Sequence, residues 1–158
     1  MTVWGDLISN LLKMAHVLLN TDFQLEFQAF IVRLLKPIAL KLGWDQVEGE
    51  SSLEGMCRGT ILRTLGINGD AGTIAEAKKR FEGHLKGELI PADLRSAVYR
   101  SVLSDADETV LEQFIELFEK ESLHEEQMRL GSSLGAVKKP ELIQKVLEFA
   151  LSVNSTFS

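Results

Sequence analysis

Three histidines, one cysteine and a set of arginines are the side chains here with chemistry to offer. His16, His84 and His124 are scattered, and none has a second histidine four residues on. The string His124-Glu125-Glu126-Gln127-Met128 comes nearest to a zinc-hydrolase helix. Such a helix needs His-Glu-x-x-His, which puts two imidazoles on one face and supplies the glutamate as base. Met128 holds the fifth position, so the second ligand is missing. The string reads instead as an acidic helix start, where negative charge is favourable. Cys57 falls on an apolar helix face and reads as a buried, inert thiol rather than a nucleophile. The glycine-rich run Gly66 to Gly72 precedes a helix, but it lacks a Gly-Lys-Ser/Thr ending and a preceding strand. It therefore reads as a turn with a helix-ending glycine, not a phosphate loop. Lys78-Lys79-Arg80, between Glu76 and Glu82, reads as a solvated helix face.

The arginines are more suggestive. Arg58, Arg63, Arg95, Arg100 and Arg129 all fall on the third, fifth and seventh predicted helices. If the helices stack in order, these three form one wall. A guanidinium grips a carboxylate through two parallel hydrogen bonds. Arg58, Arg95 and Arg129 are thus candidate contacts for a peptide running along that wall. The alternative is pairing with neighbouring Asp or Glu inside the fold.

Composition narrows the classes. The chain has 158 residues, a formal charge of −6, 45% hydrophobic and 25% charged residues. That length supports one domain with a real core. The acidic balance argues against nucleic-acid binding, which needs a basic face. A single cysteine excludes an intrachain disulfide framework and fits a reducing compartment. No run is long and apolar enough for a membrane span, and Asp6 interrupts the only leader-like stretch.

The elements that must position these residues are helices. Apolar residues at helical spacing predict a first helix from Thr2 to Leu19, with Trp4, Leu7, Ile8, Leu11, Leu12, Ala15, Leu18 and Leu19 on one face. Thr21 to Gln24 forms a capping box for a second helix running to Leu42, with a kink or break at Pro37. Ser51 or Ser52, with Glu54, starts a third helix carrying Leu53, Met56, Cys57, Ile61, Leu62 and Leu65 and ending at Gly66. Thr73 caps the fourth and Gly87 ends it. Pro91 opens the fifth, Asp105 to Glu108 caps the sixth, Leu123 starts the seventh and Pro140 the eighth. The tail from Asn154 to Ser158 is expected to fray.

Helices four, six and eight share a pattern. Each sets an apolar residue early (Ile74, Val110, Leu142) and another seven residues later (Phe81, Leu117, Phe149). Helix pairs recurring every 32 to 36 residues predict an all-α solenoid of about eight helices in antiparallel pairs. A compact eight-helix bundle is the alternative.

Several motifs occur together and in order: Leu42-Gly43-Trp44-Asp45 with Glu48-Gly49-Glu50, Thr73 to Phe81, Ile90 to Tyr99, and Glu125 to Arg129 with Leu134-Gly135 and Leu142 to Leu151. As a series they resemble the C-terminal helical domain of the M1 zinc aminopeptidases, nearest the puromycin-sensitive branch. The resemblance covers about Trp4 to Ser152. It implies a HEAT-like superhelix over a catalytic domain, enclosing a peptide chamber, and a cytoplasmic parent enzyme, with which the lone cysteine is compatible. The zinc motif and the Gly-x-Met-Glu-Asn motif of that family lie in the other domain and do not occur here; Gly55-Met56 is followed by Cys57. No catalytic or metal residue is therefore carried onto this chain, and zinc is expected only in the parent enzyme.

Two functions follow. The first is a non-catalytic C-terminal domain, part of a larger helical domain, with the catalytic domain of the same polypeptide as partner and peptide as the parent's substrate. Self-association through end helices is a further expectation. The second is a free-standing solenoid that binds a peptide or protein.

Overall fold

The computed structural model describes residues 3–156, with side chains placed for residues 3–152. Eight α-helices follow in order: α1 Val3–Val17, α2 Gln24–Leu42, α3 Ser52–Ile67, α4 Ala71–Leu85, α5 Ala92–Leu103, α6 Glu108–Lys120, α7 His124–Leu134 and α8 Pro140–Thr156. The described residues contain no strand.

Local chemistry sets most boundaries. Ser51 and Glu54 form a full capping box at α3. α3 and α4 both close through a left-handed glycine, Gly69 (φ 88°) and Gly87 (φ 97°). In each case the amide after the glycine bonds back into the last turn, Asp70 N to Leu65 O at 3.0 Å and Glu88 N to Gly83 O at 3.0 Å. Asp70 then caps α4, accepting from the Thr73 amide at 2.9 Å and the Thr73 hydroxyl at 2.6 Å. The expected cap at Thr73 is thus corrected: the aspartate, with a stronger acceptor, takes the position and starts the helix earlier.

Three other expectations shift. The box before α2 uses the Asn20 amide and Gln24 Oε1 (2.8 Å), while Thr21 Oγ1 bonds back to Leu18 O. Pro37 does not break α2, because it lies on the exposed side where water can serve the freed carbonyl. α8 continues through Thr156, so the tail enters the helix; Phe157 and Ser158, like Thr2 at the other end, lie outside the described residues.

The helices form two rows. Gly59 meets Asp93 and, farther along, Gly66 meets Ser101, so α3 and α5 run in the same direction. Arg95 and Arg100 contact Glu126 and Ser132 in the same sense, which adds α7 to that row. The opposite row is joined by aromatic contacts. Phe81 of α4 stacks on Phe114 of α6 at 4.3 Å, and Phe118 of α6 meets Phe149 of α8 edge-on at 5.4 Å. Between the rows lies the core: Ile61, Leu65, Val98, Leu103, Leu111 and Leu130 are fully enclosed. Two parallel rows with reversed connections are the geometry of an α-solenoid.

α3 approaches α5 through its glycines. A Cβ on Gly59 would lie 2.3 Å from the Asp93 carbonyl oxygen, and one on Gly66 1.9 Å from Ser101 Oγ. This turns α3 relative to its apolar reading. Leu53 and Met56 point outward, whereas Arg58 is buried.

Candidate functional site

Arg58 is the first of the candidate residues, and it is only 4% exposed. Its Nε and Nη2 each donate to the Leu42 carbonyl at 3.2 Å, and Nη2 also pairs with Glu50. Glu50 in turn accepts from the Val47 amide at 3.0 Å. Arg58 holds the Glu50 carboxyl below the usual carboxylate range, chiefly by its hydrogen bond. The connector between α2 and α3 is thereby tied to α3 at both ends. The same connector is pinned to α4. Arg80 lies over the Trp44 ring at 5.1 Å and pairs with Asp45 at 2.9 Å and with Glu76 at 2.8 Å.

Arg95 and Arg129 converge on one carboxylate. Arg95 Nη1 donates to Glu126 Oε2 at 2.8 Å, and Arg129 pairs with the same oxygen. The other oxygen, Oε1, accepts from the Tyr99 hydroxyl at 2.8 Å. Arg95 also donates to Ile90 O at 3.1 Å, and Arg129 to Glu125 at 3.0 Å. His84 Nε2 lies 3.2 Å from the Tyr99 oxygen, and its Nδ1 lies 3.0 Å from Glu88 O. Helices α4, α5 and α7 therefore meet in one polar network.

Its chemistry is that of a clasp. Burial tends to raise the Glu126 pKa, but hydrogen bonds from Arg95 and Tyr99 and the charge of Arg129 outweigh it and hold the carboxyl below its ordinary value. Burial, reinforced by Glu126, pushes the Tyr99 hydroxyl well above the usual phenol range. Neither group exchanges a proton near neutral pH, as a general acid or base must. Cys57 is half-buried, and burial raises its thiol pKa, which disfavours the nucleophilic thiolate.

Zinc does not fit this set of donors. Among the described residues no three His, Cys, Asp or Glu side chains converge as ligands. His84 spends its ring nitrogens on Tyr99 and Glu88, while His16 and His124 are exposed on separate helices.

Sequence reasoning placed the arginines on one row but missed their partners. Glu126 was legible only as a charge near a helix start. Its bond to Tyr99 crosses 27 residues, and no local pattern marks such a pair. The Glu50–Arg58 tie is nearer in sequence, eight residues, but spans a loop rather than a helical turn.

The fold and this network define a class: a layered helical domain whose buried charges hold its helices together. The chain belongs to the ERAP1-like C-terminal domain family, whose model matches residues 1–157. It is similar to Aminopeptidase M1 of Arabidopsis thaliana, with 31% identity across 92% of this chain and 18% of that protein. It also resembles Aminopeptidase M1-A of Oryza sativa subsp. japonica (29%; 80% of this chain, 15% of that protein). Aminopeptidase N of Lactococcus lactis subsp. lactis (strain IL1403) matches at 28%, over 89% of this chain and 17% of that protein. The chain thus spans less than a fifth of the length of these relatives. The residues that carried the family resemblance now have physical roles: Leu42, Trp44, Asp45 and Glu50 bind the connector, and Ile90, Arg95, Tyr99, Glu126 and Arg129 build the clasp.

Proposed function

We propose that this chain is the non-catalytic C-terminal domain of a zinc-dependent aminopeptidase that removes N-terminal residues from peptides. In that enzyme the α3, α5 and α7 row lines a peptide chamber, and the whole domain supports a catalytic domain in the same polypeptide. The zinc and the general base belong to that other domain, where the metal polarises the carbonyl and activates water. The observation that carries the reading is the family match over residues 1–157, together with the small share of each relative that the chain covers. Membership of the puromycin-sensitive branch, a HEAT-like superhelix and a cytoplasmic location complete the proposal; the ordered motifs support the first two and the lone cysteine the last.

Arg58, Arg95 and Arg129 act in it through position. Arg58 keeps the connector on α3, while Arg95 and Arg129, each partly exposed, present their remaining N–H groups at the wall. An antibody raised to the chain tests the proposal on a lysate of the source. The expected result is a polypeptide several times larger than 17.6 kDa that precipitates together with aminopeptidase activity. A sole 17.6 kDa product without that activity supports a free-standing binding solenoid instead.

A further inference from the structure

Among the described residues, one arginine of the wall has no partner. Arg63, half-buried on α3, has no hydrogen bond or ion pair to any described residue, unlike Arg58, Arg95, Arg100 and Arg129. A guanidinium stays charged, and burying one without an acceptor is costly. Two charged groups of α5 lie near it: Asp93, which shares its cleft, and Arg100, a like charge, which sends one N–H to Ser132 O at 2.9 Å. Burial and then Arg100 both push the Arg63 guanidinium below its ordinary pKa.

Arg63 borders a cleft of about 190 Å³ between α3 and α5, lined also by Met56, Gly59, Thr60, Asp93 and Ser96. At its floor Gly59 packs directly against the Asp93 backbone, which brings α3 and α5 together there. Asp93 shares the cleft but forms no ion pair with Arg63. It is an acceptor for the N–H groups of a bound chain, while Thr60 and Ser96 are neutral. The cleft is edged by an exposed methionine, Met56 on α3 (64% exposed). Flexible thioethers suit varied apolar side chains. An apolar contact beside the guanidinium fits a neighbouring residue of a bound chain.

The geometry points to Arg63 and Arg100 as a subsite for the carboxylate of an acidic side chain, Asp or Glu, within a peptide lying across the α3, α5 and α7 wall. The inference rests on the proposal that this wall faces peptide. It makes the wall selective: an internal acidic residue anchors the substrate away from the bond being cut.

The test uses the 158-residue chain and three nine-residue peptides. One is acetylated, amidated and carries a single central Glu. The second has Gln in its place. The third has the Gln and a free C-terminal carboxylate. Binding is followed by the arginine Nε–H signals in NMR. The Glu peptide is expected to bind about tenfold tighter than the Gln peptide, the effect of one hydrogen-bonded charge. Arg63→Gln should abolish that difference, Arg33→Gln should leave it, and added salt should shrink it. Because Arg63 has no partner to lose, Arg63→Gln should keep or raise the urea midpoint, which separates a binding group from a structural one. Equal binding of the Glu and Gln peptides overturns the inference. So does a third peptide that binds as well as the Glu peptide, since the site then takes chain ends. The lysate result is independent: a large aminopeptidase without Glu preference sinks the subsite alone, and a free 17.6 kDa product sinks the enzyme assignment alone.

Discussion

Glu126 shows how one buried carboxylate is made tolerable. It is 4% exposed, yet each oxygen is met by a donor, and two guanidiniums balance its charge. Glu126→Gln leaves Arg95 and Arg129 facing a neutral amide, and should cost about 2–4 kcal/mol in urea unfolding. Tyr99→Phe removes the contacts to Glu126 and His84 and leaves Glu126 Oε1 without its donor, and should cost about 1–3 kcal/mol in the same measurement. The pH dependence follows from the shifts. The folded pKa of Glu126 lies below its ordinary value, so its contribution is present above about pH 4.5 and is lost as pH falls through the folded value. Asp70 shifts the same way through Lys36 and Thr73, against burial, and adds to the acid loss. Tyr99 shifts upward, so its contribution is complete below pH 10 and fades on the alkaline side. Urea midpoints measured from pH 6 to pH 3 should fall less steeply in Glu126→Gln than in the parent chain.

Helix α3 is the element on which the rest depends. It touches α1, α2, α4 and α5, and its glycines set how closely α5 approaches. Gly59→Ala drives a methyl group against the Asp93 backbone, which a rotamer change cannot relieve. It should cost about 1–3 kcal/mol or more by displacing α5. Gly135→Ala is the control. The backbone there is ordinary helix (φ −64°) and the nearest atom is 3.6 Å away, so stability should stay level or rise by up to about 1 kcal/mol. Equal losses in the two variants would show that the α3–α5 approach is soft. The helix periods, the Ser51–Glu54 box and Gly87 at the end of α4 were legible beforehand, because each is decided within one or two turns; the end of α3, expected at Gly66, is instead made by the left-handed Gly69, with Gly66 inside the helix against Ser101. The orientation of α3 was not. Leu53 and Met56 satisfy the apolar pattern, but Gly59 and Gly66 permit a closer contact on another face, and closeness won.

At the scale of the molecule, contact is dense in the middle and sparse at the ends. α5 packs against α3, α4, α6 and α7, whereas α1 meets only α2 and α3 extensively. Amide hydrogen exchange should therefore be slowest in α3 and α5 and faster in α1 and α8. A uniform exchange rate across all eight helices would mean that the rows open as one unit. The sequence alone determined that the protein is helical, where its helices begin and end to within a few residues, and that its motifs follow those of an aminopeptidase C-terminal domain. Those features are local, since caps, turns and periodic stripes act over a few residues. Only the tertiary structure decided which arginines are spent and which is left over. Glu126 reaches Arg95 and Tyr99 across separate helices, and Arg63 reaches no acceptor among the described residues. Such outcomes depend on how rows of helices align in space, and charge pairing between distant segments leaves no periodic trace in the chain.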